Sequence, residues 1–244
     1  MTAIVHFIGC GDAFGSGGRF QTCILLESDS ERMLIDCGAS SLVALKRSGL
    51  NPSTIGTILI THLHGDHFGG IPFFILDAQF SKRLEPLVIA GPPSIQNRVR
   101  EAMEVFFPGS SQITQRFPIE FIELPAEAAV TVGNSQVTAF PVVHSCGAPA
   151  YALRVEFRGR IVTYSGDTEW TDALMAASSH VDLFICEAYF FTKKTMFHLD
   201  YETLAKQRSN LTCKRLVVTH MSDDMLARTD LDVERAVDGL IVSL

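Results

Sequence analysis

Short apolar runs rich in Val and Ile recur along the chain, separated by segments of helical spacing or by Gly, Pro and Ser clusters. The runs over 3–8, 22–27, 32–36, 57–60, 87–90, 119–124, 129–132, 137–143, 151–157, 160–164, 183–186 and 215–218 read as strands. Ser28-Asp29-Ser30-Glu31 and Arg158-Gly159 lie between adjacent runs and predict β-hairpins. Helices are predicted over 40–48 with Gly49 as a stop, over 68–80, and over 171–177. A further helix starts from a Ser94 cap, runs to about 107, and is broken by Pro108-Gly109-Ser110-Ser111. Asp200 is placed to cap another over 201–208, and 233–244 reads as a helix passing into a last short strand. Strands followed by helices occur in each half, which gives an α/β or α+β class. With no linker, low-complexity run or repeat, residues 1–244 read as one domain.

Composition narrows the setting. A hydrophobic fraction of 47% and a charged fraction of 19% suit a protein with a sizeable core. Twenty basic and 27 acidic side chains give a net charge of -7, so the surface should not attract bulk nucleic acid. The six cysteines, at 10, 23, 37, 146, 186 and 213, form no C-x-x-C pair and read as reduced thiols of a cytoplasmic protein. No secretory n- and h-region is visible, and no stretch approaches the roughly 20 apolar residues of a membrane span. No membrane partner is therefore expected.

The chemistry concentrates in Thr61-His62-Leu63-His64-Gly65-Asp66-His67, directly after the apolar run 57–60. His62 and His64 are two apart and share a side in an extended segment. Gly65 lets the chain turn, so Asp66 and His67 face the same space from the start of a helix. Nitrogen and oxygen donors packed this closely suit zinc or a similar divalent ion.

This H-x-H-x-D-H pattern resembles the signature of the metallo-β-lactamase superfamily, and further pieces follow in order. They are Leu34-Ile35-Asp36-Cys37-Gly38, His144 after the run 137–143, Ser165-Gly166-Asp167-Thr168, and Val217-Val218-Thr219-His220. The resemblance implies a four-layer αββα sandwich, the metallo-β-lactamase fold, with mixed α/β (α+β) content. It implies two divalent metal ions, zinc first with manganese or iron as alternatives. One would be held by His62, His64 and His144, the other by Asp66, His67 and His220, with Asp167 bridging. A hydroxide shared by the metals would be the nucleophile. Asp36 would brace the histidine turn rather than bind metal.

Leu183-Phe184-Ile185-Cys186-Glu187-Ala188-Tyr189-Phe190 resembles the ribonuclease Z branch, in which Glu187 would orient His198 and His198 would assist the leaving oxygen. Leu199 and Asp200 depart from that branch's small hydroxylic residues after the histidine. Ribonuclease Z proteins also insert a transfer-RNA-gripping arm between the third histidine and the bridging Asp, whereas His144 and Asp167 leave room here only for a hairpin. The expected activity is therefore a dinuclear zinc phosphodiesterase acting on a small or cyclic phosphodiester, without efficient transfer-RNA processing. A thioester or lactone hydrolase using the same metal pair is the alternative, and a homodimer is compatible with the sequence. A diiron electron-transfer site is disfavoured by His64, where that branch has Glu. A β-lactamase is disfavoured by Asp167, where several such enzymes have Cys. His6 and His180 fit no ligand position; Arg19 reads as a surface residue or an anion contact, and Phe106-Phe107 as core or a pocket mouth.

Overall fold

The computed structural model describes residues 3–244, and in it most of the apolar runs become strands buried on both faces. The first half runs β1 (Ile4–Gly9), β2 (Cys23–Ser28), β3 (Glu31–Ile35), α1 (Ser41–Arg47), β4 (Thr57–Leu59), α2 (Gly65–Phe68), α3 (Ile71–Phe80), β5 (Leu87–Gly91), α4 (Ile95–Phe106) and β6 (Ile119–Glu123). The second runs β7 (Ala129–Val132), β8 (Ser135–Val142), β9 (Ala150–Phe157), β10 (Arg160–Tyr164), α5 (Ala173–Ala177), β11 (Leu183–Glu187), α6 (Tyr201–Gln207), β12 (Arg215–Thr219), α7 (Asp223–Leu226), β13 (Glu234–Arg235) and β14 (Ile241–Ser243). Among the described residues the strands form two seven-stranded sheets, ordered β14-β1-β2-β3-β4-β5-β6 and β13-β12-β11-β10-β9-β8-β7.

Strand periodicity divides the apolar side chains among three cores. In β2 and β3, Ile24, Leu26, Met33 and Ile35 join Val137, Leu153, Val155 and Tyr164 of the other sheet in the central layer. Cys23, Leu25 and Leu34 point the other way, against Leu45 of α1, Phe74 and Ile75 of α3, and Val99 of α4. The second sheet turns Phe184, Cys186 and Val218 toward Leu174, Leu204 and Met225 of α5, α6 and α7. Because successive strand residues point to opposite faces, one sequence run can serve two layers. The result is the four-layer αββα sandwich.

Local differences from the sequence pattern have local causes. The helix predicted over 68–80 is interrupted at Gly69-Gly70. Gly70 donates its N–H to the Cys37 carbonyl, and a Cβ there would lie 2.2 Å from the Gly38 carbonyl oxygen. Ser94 precedes α4 as expected but does not cap it: its φ is 71°, its side chain makes no cap bond, and its N–H donates to Glu123 instead. Asp200 does cap α6, accepting from the Thr203 N–H at 3.0 Å. The helix predicted from 233 is absent. Glu234–Arg235 pairs with β12 and Ile241–Ser243 with β1, so this segment passes from one sheet to the other. Between them Gly239 takes φ 90°, and Asp238 accepts the N–H groups of Cys10 and Phe20, which breaks any helical run. All six cysteines are free, and no helix is long and apolar enough to cross a membrane among the described residues.

Gly38 packs directly against the turn that carries Asp66. A Cβ on it would lie 2.2 Å from the Asp66 carbonyl oxygen. Gly38→Ala should therefore lower stability by about 1–3 kcal/mol in urea unfolding. Gly56→Ala, whose added Cβ meets nothing within 4 Å, should change it by less than about 0.5 kcal/mol.

Candidate metal centre

The chemistry-bearing residues sit at the carboxyl ends of β3, β4, β8, β10, β11 and β12. β3 and β4 are parallel, as are β10, β11 and β12; β8 shares their direction through antiparallel β9. One edge of the sandwich thus collects Asp36, the 61–67 turn, His144, Asp167, Glu187 and His220. His64 is still extended, at φ -88° and ψ 152°, and α2 starts at Gly65 and carries Asp66 and His67.

The side chains form two adjoining groups able to hold a cation, His62 with His64 and His144, and Asp66 with His67, Asp167 and His220. Asp167 lies between them. Its carboxylate is 3.3 Å from His67 Nε2, 3.2 Å from His220 Nε2 and 3.9 Å from His62 Nε2. Asp66 lies 3.2 Å from His67 Nε2 and 3.9 Å from His220 Nε2. A third grouping adds His198 to His144 and Asp167, but His198 Nδ1 is engaged by Glu187 at 3.0 Å.

Hydrogen bonds behind the rings select the tautomer that a cation requires. His67 Nδ1 is 2.6 Å from Asp36 Oδ2, and His144 Nδ1 is 2.8 Å from the Phe197 carbonyl. The Thr61 hydroxyl donates to Asp36 and so receives His62 Nδ1 at 3.1 Å. In each case a proton on Nδ1 leaves Nε2 as a lone pair facing the group. His62 Nε2, His67 Nε2 and Asp167 Oδ1 are buried with no hydrogen-bond partner, and His144 Nε2 lies 3.0 Å from His64 Nδ1. Buried unpaired acceptors this close are costly unless something positive joins them. The donor set therefore fits divalent cations.

Electrostatics agree. Burial lowers His62 well below its ordinary pKa, and burial also lowers His144 and His220. Burial acts to raise Asp167, but the His220, His67 and His62 rings outweigh it and hold the carboxyl well below the usual range. His67 is opposite: burial lowers it, but Asp167, Asp66 and Asp36 outweigh that and raise it, so the surrounding carboxylates call for positive charge at this point, which a cation on Nε2 would supply in place of a proton. Asp36 takes φ 61° to reach its partners and accepts from Thr61 N–H and Oγ1, both at 2.8 Å, besides His67.

Glu187 closes β11 fully buried, accepts the Thr168 N–H, and holds His198. Burial first, then the Asp167 charge, lifts Glu187 to about 8. Burial pulls His198 down, yet the bond and charge of Glu187 outweigh it and raise the imidazole to about 9. Both shifts act in the direction of keeping a proton on the pair. A cavity of about 220 Å³ opens onto His64, Asp66, Asp167, His198 and His220, with Phe14 and Tyr189 also on its wall.

Several weaker sequence readings resolve here. Phe106 and Phe107 pack on Phe73, with ring centroids 5.5 and 5.2 Å away, and do not line this cavity. Arg19 donates to the Ala236 carbonyl at 2.8 Å and lines an open cleft that shares Phe14 with the cavity. His6 and His180 join none of the groups. The sequence does not mark the roles of Thr61 and Thr168, whose bonds to Asp36 and Glu187 are non-local, or that of Phe14, which is 85% exposed beside the donors. Phe14 lies in the glycine-rich loop Gly9-Cys10-Gly11-Asp12-Ala13-Phe14-Gly15-Ser16-Gly17-Gly18, whose composition is the signal that points to it.

The family model described as anti-Pycsar protein Apyc1 matches residues 3–237. The chain belongs to the Apyc1 family. The match spans the segment from Asp36 to His220, and the similarity to ribonuclease Z relatives makes the chain a ribonuclease Z-like member of the metallo-β-lactamase superfamily, a group of hydrolases. Ribonuclease Z of Enterococcus faecalis is 26% identical over 281 aligned positions, covering 92% of this chain and 88% of the relative. The human tRNase Z short form is 27% identical with a TM-score of 0.80, covering 98% of each chain. The metallo-β-lactamase fold protein YhfI of Bacillus subtilis, 20% identical over 99% of each chain, also has a TM-score of 0.80 and shares the fold.

In this Apyc1 family chain, removing the Asp36 charge tests the bracing of the histidine turn. Asp36→Asn should weaken cation affinity by about 10–100-fold, measured as zinc competition against a chromogenic chelator. Unchanged affinity would mean that the turn holds its shape without Asp36.

Proposed function

We propose that the chain is a dinuclear metal-dependent phosphodiesterase, with zinc as the metal, acting on a small or cyclic phosphodiester. The observation that carries this reading is Asp167, which lies between two donor groups while a proton-bearing His198–Glu187 pair faces the same cavity. His62, His64 and His144 would hold one cation and Asp66, His67 and His220 the other, with Asp167 touching both. When bound, the cations supply a water activated near neutral pH and positive charge against the phosphoryl oxygens.

The chain's own residues do the rest. His198, 24% exposed in its side chain and held through Nδ1 by Glu187, presents Nε2 to the cavity. From there it stabilises the phosphoryl group and donates a proton to the departing oxygen. Glu187 keeps the ring in that orientation and keeps the pair protonated. Phe14 and Tyr189 offer flat apolar surface to whatever the phosphate carries.

Size and charge favour a small substrate. The cavity of about 220 Å³ lies below the roughly 300–1,000 Å³ of sites for drug-sized ligands. Between His144 and Asp167 the chain holds only the β9–β10 hairpin. The alignment to the Enterococcus ribonuclease Z spans 281 positions, more than this whole 244-residue chain, so that relative carries residues with no counterpart here. A net charge of -7 also opposes a polyanionic RNA. The ribonuclease Z names belong to those relatives; for this chain we favour a substrate other than precursor transfer RNA.

A hydrolysis panel on zinc-loaded protein tests the reading. Bis-p-nitrophenyl phosphate should turn over and precursor transfer RNA should not; rapid thioester or lactone cleavage without phosphodiester turnover would contradict it. His198→Ala should keep its metal yet lose about 10²- to 10⁴-fold in kcat on a diester with a poor alkoxide leaving group. The loss should be smaller with p-nitrophenolate, which departs without a proton. Because proton donation ends as His198 deprotonates, wild-type kcat on the poor leaving group should fall at or below about pH 9, since bound cations lower that pKa. Equal losses on both substrates would remove the leaving-group role.

A further inference from the structure

Phe197 occupies the third position of the tight turn Thr195–His198, whose ends pair as an antiparallel bridge. Its φ is 70°. Turns with positive φ at that position ordinarily use Gly or Asn, because a Cβ crowds the backbone in the left-handed region. An aromatic residue persists there only when its surroundings over-determine the conformation. The outlier directly precedes His198 and lies against His144.

Three contacts hold it. The Phe197 N–H donates to Glu169 Oε1 at 2.8 Å. The Phe197 carbonyl accepts from His144 Nδ1 at 2.8 Å. The Phe197 ring stands edge-on to the His144 ring with centroids 6.2 Å apart. Glu169 is in turn fixed to the strand end that carries His144, since its N–H donates to the Val143 carbonyl at 3.1 Å. Thr168, just before it, receives the Val143 N–H on Oγ1 at 3.0 Å and donates its own N–H to Glu187. Segment 167–169 thus reaches both His144 and His198 by hydrogen bonds that run through Phe197 and Glu187.

We infer that Glu169 is a positioning residue. By accepting the Phe197 N–H it keeps the 195–198 turn in its left-handed form. That form aims the Phe197 carbonyl at His144 Nδ1, fixing the ring's tautomer and direction, and sets His198 against Glu187. The turn requires an acceptor oxygen at this point; it does not require a charge. Glu169 therefore need not touch substrate or cation. The inference rests on the roles proposed above for His144 and His198, and it extends them to a residue that no ligand pattern in the sequence marks.

The test uses the zinc-loaded full chain with Glu169→Ala, Glu169→Gln and the double variant Glu169→Ala/Phe197→Gly. Two quantities are read: the rate at which zinc passes to a chelator, and kcat on diesters with poor and good leaving groups. Glu169→Ala should speed zinc release by about 10-fold or more, because His144 loses its fixed partner. It should lower kcat on the poor leaving group by about 10- to 100-fold, with KM little changed and a smaller loss on the good one. Glu169→Gln keeps an oxygen in place and should behave like the parent. Glycine at 197 takes positive φ without steric cost, so the double variant should recover part of both losses.

A Glu169→Ala variant that merely melts earlier, with zinc release and the leaving-group ratio unchanged, would overturn the inference. So would a Glu169→Gln variant as impaired as Glu169→Ala, which would show that the charge acts directly. Zinc release needs no substrate. If the parent protein cleaves no phosphodiester, the proposed activity fails while the zinc-release comparison still decides the role of Glu169.

Discussion

An ionised carboxylate held out of water has to be compensated where it lies, and Asp167 imposes that requirement on everything around it. It is 2% exposed at the end of β10, with His62, His67 and His220 arrayed about it. The turn that places it allows no bulk. Gly166 has φ 58°, and a Cβ there would meet the Tyr151 carbonyl at 2.8 Å and the Thr61 side chain at 3.1 Å. Ser165 ties the turn to β11 by accepting the Glu187 N–H at 2.9 Å. The same few residues thus fix Asp167 between the sheets and set Glu187 beside it.

Charge compensation is matched by conformational strain. Asp36, Phe197 and His220 all adopt positive φ, at 61°, 70° and 56°; His220 is one of the donors, and Asp36 and Phe197 hydrogen-bond to the donors His67 and His144. Such conformations cost on the order of 1–3 kcal/mol each, and here each is tied down by hydrogen bonds. Asp36 accepts from Thr61 and His67; His220 donates its N–H to the Cys10 carbonyl at 3.2 Å. The framework supplying those bonds is the sandwich itself, whose central layer carries Phe7, Tyr164 and Ile185 at essentially no exposure. Rigid packing below and strained residues above form one mechanical arrangement.

Much of this was legible in the sequence because it is local or periodic. His62, His64, Asp66 and His67 sit within six residues, and His144, Asp167 and His220 each follow an apolar run ending at the same sheet edge. What escaped depends on contacts between distant segments. The break at Gly69-Gly70 arises from the approach of Gly38 and Cys37. The tail over 233–244 reads as a helix until Asp238 meets Cys10 and Phe20, more than 200 residues away. Glu169 and Phe197 are 28 apart, and neither belongs to a ligand pattern. The short α7 has too few residues to show a period. Propensity gave only a mixed class; the four layers came from the family resemblance and from the way strand alternation fills three cores.

The central claim is that one carboxylate joins two cation sites into a single centre. Anomalous diffraction at the zinc edge from crystals of the zinc-loaded protein tests it most directly. The account predicts two peaks per chain, one among His62, His64 and His144 and one among Asp66, His67 and His220, with Asp167 in contact with both. A single peak at full loading, or a second peak that Asp167 does not touch, would contradict it.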